Sequence, residues 1–257
     1  ISPGASLRQT DRLSLIGRLV LIAAAAGLLA GCQGKAQRPP CPAGQVCLEY
    51  GNESDPLTLD PQTSNLVNEG RIIGDLMVGL MTLSPEATPI PGMATHWEAS
   101  ADGLVWTFHL RDAQWSDGKP VTADDFVFSW RRILDPATAA AYSYFLYVVK
   151  NAEAINAGKQ PGTSLGARAV DARTFEVQLV HPAPYLLEML THTTTMPLPR
   201  HVVEPKGPQW ARPGTYVGNG AFVLKKWVPN EYVLLEKNPR FYDADNVALQ
   251  QVIFYPT

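Results

Sequence analysis

The sequence predicts an α/β chain in which short strands are mixed with helices, and three observations carry that prediction. Within residues 66–81, Ile73, Leu76, Met77 and Leu80 fall at i, i+3, i+4 and i+7, the apolar stripe of a helix. Residues 105–110 and 174–179 alternate instead, with Trp106, Phe108 and Leu110 in one and Phe175, Val177 and Leu179 in the other. That period of two is the mark of a half-buried strand. Between them, Thr122 precedes Asp124 and Asp125 and an apolar face of Phe126, Trp130, Ile133 and Leu134. An N-cap hydroxyl and first-turn acids offset the open N–H groups and the helix dipole. Short strands interleaved with helices belong to α/β or α+β layers.

The remaining elements follow in order. Residues 33–45 are rich in Pro, Gly and Gln, lack periodicity, and read as a tether. Residues 46–50 read as a first strand, and Leu59-Asp60-Pro61 as a turn. After the helix at 66–81, Pro85, Pro89 and Pro91 break the chain, and Ala101-Asp102-Gly103 turns it into the strand at 105–110. Asp117-Gly118 is another turn, and Asp135-Pro136 ends the capped helix. Residues 142–157 are helix-prone and close at Gly158, and 184–190 form a short helix. Residues 215–227 and 231–236 read as two strands joined at Pro229-Asn230, and 252–255 as a last strand. Trp106, Phe108 and Trp130 are expected in the core.

The N-terminus has its own pattern. Arg8, Arg12 and Arg18 precede the uncharged run LVLIAAAAGLLA at 19–30, which ends in Gly31-Cys32. A span needs ~20 apolar residues to cross a membrane, so this run fits a secretory h-region better. Charge, apolar run, small residues and Cys in that order resemble a bacterial lipoprotein signal. The resemblance implies cleavage after residue 31 and lipidation of Cys32, hence an exported, membrane-anchored chain in the periplasm or its equivalent. An anchor helix with an incidental Cys is the alternative. From residue 32 onward the chain carries 18 Lys+Arg against 23 Asp+Glu, net −5. Such a chain, with no basic block, is a poor partner for nucleic acid. Cys41 and Cys47 lie with five residues between them. In an oxidising compartment a disulfide between them is expected, with two free thiols as the alternative.

A longer resemblance spans residues 46–257. Trp106-Thr107-Phe108-His109-Leu110-Arg111, Trp115-Ser116-Asp117-Gly118 and Pro120-Val121-Thr122-Ala123-Asp124-Asp125-Phe126 resemble the oligopeptide-binding proteins of ABC importers, large solute-binding proteins of the peptide/nickel class. Leu59-Asp60-Pro61 lies upstream; Asn219-Gly220-Ala221-Phe222, Lys226-Trp227 and Glu236-Lys237-Asn238-Pro239 lie downstream. The resemblance implies a periplasmic-binding-protein-like fold (type II, class C). Residues 46–83 and 201–257 then build the base of lobe one, 84–200 form an inserted extra subdomain, and the second lobe is expected to be missing. Family members are about twice as long as this chain, beyond the ~50–250 residues of one domain.

The resemblance also nominates ligand contacts. Importers of many peptides bind the peptide backbone as an added strand. The family segment that does so maps onto Asn65, Leu66 and Val67, which also read as the first turn of the next helix. Tyr142 and His192 match positions that face the cleft. Tyr142 otherwise reads as a packed helix face, and His192 as a structural imidazole. The five His (His96, His109, His181, His192, His201) are scattered, and no HExxH, GxSxG or P-loop pattern occurs. No enzyme activity, cofactor or metal site is expected.

The leading expectation is a monomeric, lipid-anchored receptor that captures oligopeptides and delivers them to ABC permease subunits. The alternatives are a truncated or split receptor fragment that does not bind by itself, serving as an envelope interaction module or a remnant, and an exported enzyme on this scaffold.

Overall fold

A computed structural model describes residues 38–257. Residues 40–257 pack as one compact unit with a continuous hydrophobic core. Lipidation at Cys32 and the segment before it lie outside the described residues. Among the described residues, no helix is long and apolar enough to cross a membrane.

Two four-stranded sheets organise the unit. The first joins β1 (Cys47–Gly51) to β10 (Gln251–Tyr255), β9 (Tyr232–Lys237) and β8 (Phe222–Val228), in that order. β1 runs parallel to β10 from Cys47↔Gln251 to Gly51↔Tyr255, and the other pairs are antiparallel. Gln251 to Phe254 and Tyr232 to Leu235 are buried without alternation, so both faces of the central strands are covered. Cys41 and Cys47 are disulfide-linked, Cα atoms 5.9 Å apart, which fastens the start of the described chain to β1.

The second sheet is contiguous in sequence. β4 (Ala94–Ala99), β5 (Val105–Leu110), β7 (Thr174–Gln178) and β6 (Ala167–Asp171) are neighbours in that order, all antiparallel. Its inner face buries Phe108, Phe175 and Val177 completely. Helix α2 (Ala123–Leu134) covers that face. Trp130 meets Phe175 edge-on at 5.0 Å and Phe126 packs on the same ring at 5.6 Å. Such aromatic pairs contribute ~1 kcal/mol each beyond the area they bury. A small hairpin of β2 (Met81–Leu83) and β3 (Pro89–Pro91) lies between the two sheets in sequence.

Three expectations are corrected. The helix expected over 66–81 is α1 (Val67–Leu76) and stops there. Gly220 N–H donates to the Leu76 carbonyl, and Asn219 takes both the amide and the carbonyl of Val78. Another segment thus occupies the backbone groups a longer helix would need. For the same reason the strand expected from 215 begins only at Phe222. The helix expected over 142–157 is only a 3-10 turn, Ser143–Leu146, and a short α3, Ala152–Asn156. Val148 and Lys150 instead exchange backbone bonds with Val180 and Gln178, and Asn151 follows at φ 67°. The short helix expected over 184–190 is α4 (Leu186–Met189), whereas strands β2, β3, β4 and β6 and helix α5 (Arg200–Lys206) were not anticipated.

Several of the family motifs turn out to be connectors. Ser116 N–H donates to the Gly218 carbonyl. Asn238 donates to the Gly220 carbonyl through its side chain and to the Ala221 carbonyl through its amide. Trp115 is fully buried and donates to Asp125 Oδ2, which also accepts from the Thr122 amide and hydroxyl. Asp125 therefore serves as a buried acceptor at the start of α2.

Candidate functional site

The segment ahead of α1 is fixed from below. Asp60 accepts a forked pair of bonds from Arg132 (2.7 and 3.2 Å), one from the Trp210 indole at 3.0 Å and one from the Gln62 amide. Arg132 also reaches Gln62, and Gln62 donates to the Ser129 carbonyl of α2. Tyr216 is buried beside this node, and burial, with the Asp60 charge, pushes its phenol well above the ordinary range. The Leu59-Asp60-Pro61 turn is thereby anchored to α2.

Glu69 then shapes the segment itself. It sits at the third position of α1 and is 1 % exposed. Oε2 accepts from the Asn65 and Leu66 amides, and Oε1 from those of Leu57 and Thr58. This is the reach-back half of a capping box, extended to a second loop. Glu69 turns the amides of 65 and 66 inward, and the side chains of Leu66 (39 % exposed) and Val67 (69 %) outward. An added strand therefore has no access to those two amides.

Tyr142 and His192 come from distant segments. Tyr142 lies at the head of the 3-10 turn, its hydroxyl 3.5 Å from the Asn65 carbonyl. Its ring meets Phe145 at 5.8 Å and His192 at 5.3 Å, and His192 stacks on Phe145 at 4.5 Å. His192 Nδ1 lies 2.6 Å from the Thr194 hydroxyl and accepts from the Thr194 amide. Burial holds its pKa below the usual value, so the ring is neutral. With Nδ1 accepting, the proton resides on Nε2, which is the donor left for a ligand.

All five nominated residues line one open depression of about 420 Å³, together with Ser64, Gly70, Arg71, Leu83, Thr191 and Thr193. The walls are apolar at Leu66, Val67 and Leu83 and aromatic at Tyr142, with a single imidazole donor. His192 is the one carboxylate or imidazole in the lining, so the depression holds no set of metal ligands. Thr194 is the hydroxyl paired with His192, and it is fully buried. No solute in the depression can reach it as a nucleophile. The lining residues beyond the five were missed: Arg71 falls inside the helix expected over 66–81 and Leu83 just after it, with no local signal marking either.

Comparison with known proteins places this architecture. The chain is 44 % identical over 217 residues to the periplasmic oligopeptide-binding protein OppA of Salmonella typhimurium, covering 83 % of this chain and 40 % of that one. It is 45 % identical over 213 residues to the probable deoxycholate-binding periplasmic protein YgiS of Escherichia coli, covering 82 % of this chain and 40 % of the relative. The solved structure of Haemophilus influenzae OppA in complex with the peptide RPPGFSPFR superposes with a TM-score of 0.81 at 39 % identity, over 83 % of this chain and 42 % of that one. The chain thus spans about two-fifths of the length of the curated relatives it matches. The profile described as "Bacterial extracellular solute-binding proteins, family 5 Middle" matches residues 88–257. With its two sheets, its connecting motifs and that match, the chain belongs to the bacterial extracellular solute-binding proteins of family 5.

Proposed function

We propose that this chain is part of a lipid-anchored, extracytoplasmic receptor that captures oligopeptides for an ABC permease. Asn65, Leu66, Val67, Tyr142 and His192 are its contacts. The observation that carries this reading is their convergence from three distant segments onto one depression. One relative named for oligopeptides and one solved in complex with a peptide support the class of ligand. Leu66, Val67 and Tyr142 pack against ligand side chains, and His192 Nε2–H donates to a peptide carbonyl. In the same reading Cys32 carries the lipid, 32–45 is the tether, 46–83 with 201–257 forms the base, and 84–200 is an insert. The receptor works as a monomer and catalyses nothing.

Isothermal titration of the receptor, in its natural length, with a mixture of short peptides tests this. Binding that weakens by about tenfold in Tyr142→Ala or His192→Ala supports the assignment, equivalent to ~1.4 kcal/mol. Heat for no peptide overturns it. Because one relative is named for deoxycholate, that acid belongs in the same titration. Binding of deoxycholate alone would keep the site and change its ligand.

A further inference from the structure

The outward face of the second sheet carries a cluster that the solute site does not use. The β4–β5 register sets His96 opposite His109, and Glu98 follows two residues later on the same face. The two imidazoles stack at 4.3 Å with 11° between planes. His109 Nε2 lies 3.3 Å from Glu98 Oε1, yet it makes no hydrogen bond and is shielded from solvent. The distance is short, but the angle is poor for a proton shared between them. A buried ring nitrogen without a partner is costly.

The tautomer of His96 is fixed by its neighbour. The Thr95 hydroxyl donates its one proton to the His109 carbonyl at 3.1 Å. At its 2.9 Å contact with His96 Nδ1, Thr95 Oγ1 must therefore accept. Nδ1 carries the proton and Nε2 presents a bare lone pair outward. A hydrogen bond behind one ring nitrogen is what orients a metal-binding histidine. The nearby carboxylate of Asp171 is occupied by the Arg173 amide and the Thr174 hydroxyl.

We propose that His96, Glu98 and His109 form a binding site for zinc or a similar divalent transition metal on the outer face of this sheet. The two imidazoles bind through Nε2 and Glu98 through one carboxylate oxygen. One ligand atom from each of the three residues already lies within 4.8 Å of the other two. Tetrahedral zinc with bonds of about 2.0–2.2 Å sets its ligands about 3.4 Å apart, the spacing His109 and Glu98 now show. His96 and Glu98 are exposed, so side-chain rotations close the two edges to His96. Two imidazoles and one carboxylate select zinc over calcium or magnesium, which take oxygen ligands almost alone. Water fills the fourth position. None of the three residues lines the solute depression, so the two sites are independent. Bound metal would clamp β4 to β5 across a register irregularity between Ala94 and His96.

The test is calorimetric titration of untagged, EDTA-stripped protein with zinc chloride near neutral pH, with the melting temperature read alongside. The expected result is one zinc per chain and a melting temperature that rises with zinc. His96→Ala, at an exposed position, should weaken binding by more than ~10-fold, and Glu98→Gln by less. Cobalt(II) should give the visible bands of a four-coordinate site in the parent protein and not in His96→Ala. Absence of zinc binding overturns the proposal. So does undiminished binding in His96→Ala, which would place the ion elsewhere. His109→Gln, which keeps a polar side chain in the sheet, should likewise weaken zinc binding by more than ~10-fold, and undiminished binding there also overturns the proposal.

Discussion

The two sheets solve the same problem in opposite ways. The sheet of β4 to β7 is assembled from one stretch of chain, with antiparallel neighbours and one aromatic face against α2. The sheet of β1 and β8 to β10 is closed by a parallel pair whose partners, Cys47 and Gln251, stand at opposite ends of the described chain. Local pairing costs little loop entropy, whereas the distant pair must be held by something else while the chain between is ordered. The holding contacts are polar and specific: the Asp60 node and the junction of Asn219 and Gly220 with residues 76–78. The depression lies on the loops that these contacts brace. Stability of the second kind of sheet and competence of the site should therefore fail together.

The sharpest way to break that link is Asp60→Ala. It leaves the Arg132 guanidinium, one-fifth exposed, without its forked carboxylate, and also strips the Trp210 donor. Removing one partner of a buried pair costs ~3–5 kcal/mol. Denaturant unfolding should show that loss, together with loss of the peptide binding proposed for the site.

Gly220→Ala strikes the junction itself. An added Cβ would meet the Leu76 carbonyl carbon, lie 2.5 Å from the Met77 nitrogen and 2.6 Å from the Asp75 carbonyl oxygen. These are backbone atoms, so α1 must shift, at ~2–3 kcal/mol. The expected signature is faster amide exchange in α1, β8 and β10 with little change in β5 and β7. Uniform loss across both sheets would mean that the two are not separable. Glu69→Gln is next, at ~1–3 kcal/mol. One amide oxygen cannot serve four N–H donors, so 65–67 loosens. The proposed peptide binding should weaken by more, in free energy, than the stability lost on unfolding.

The same contrast explains what was legible in the sequence. β5, β7 and α2 were readable because alternation, a helical face and a cap are local signals, and Trp130 meets Phe175 as that pattern requires. The run over 66–81 misled because its apolar spacing continues past Leu76 while Asn219 and Gly220, far along the chain, end the helix. The five site residues came from family resemblance, and the structure brings them together. The inward-turned amides of Asn65 and Leu66 depend on Glu69, which no pattern singled out. His96 and His109 were read as scattered; only the hairpin register makes them neighbours.

The smallest effect is the most diagnostic of the junction. Asp75 lies in the last turn of α1, and burial raises its pKa from 3.8 to about 6. A carboxyl held protonated in the folded state and ionised in the unfolded one makes stability fall as pH rises, from about 4 until the folded-state value near 6 is passed. Above that the penalty is complete, and partial solvent contact limits it to about 1–2 kcal/mol. Asp75→Asn should therefore stabilise the chain above pH 6, leave it unchanged near pH 3, and flatten the decline between. Its acidic position at the negative end of a helix dipole adds to the expected gain. Carboxyl titration by NMR in Gly220→Ala then separates two accounts of that burial. If the junction excludes water from Asp75, opening it returns the group toward 3.8. A value still near 6 would mean that α1 packs independently of residues 218–220.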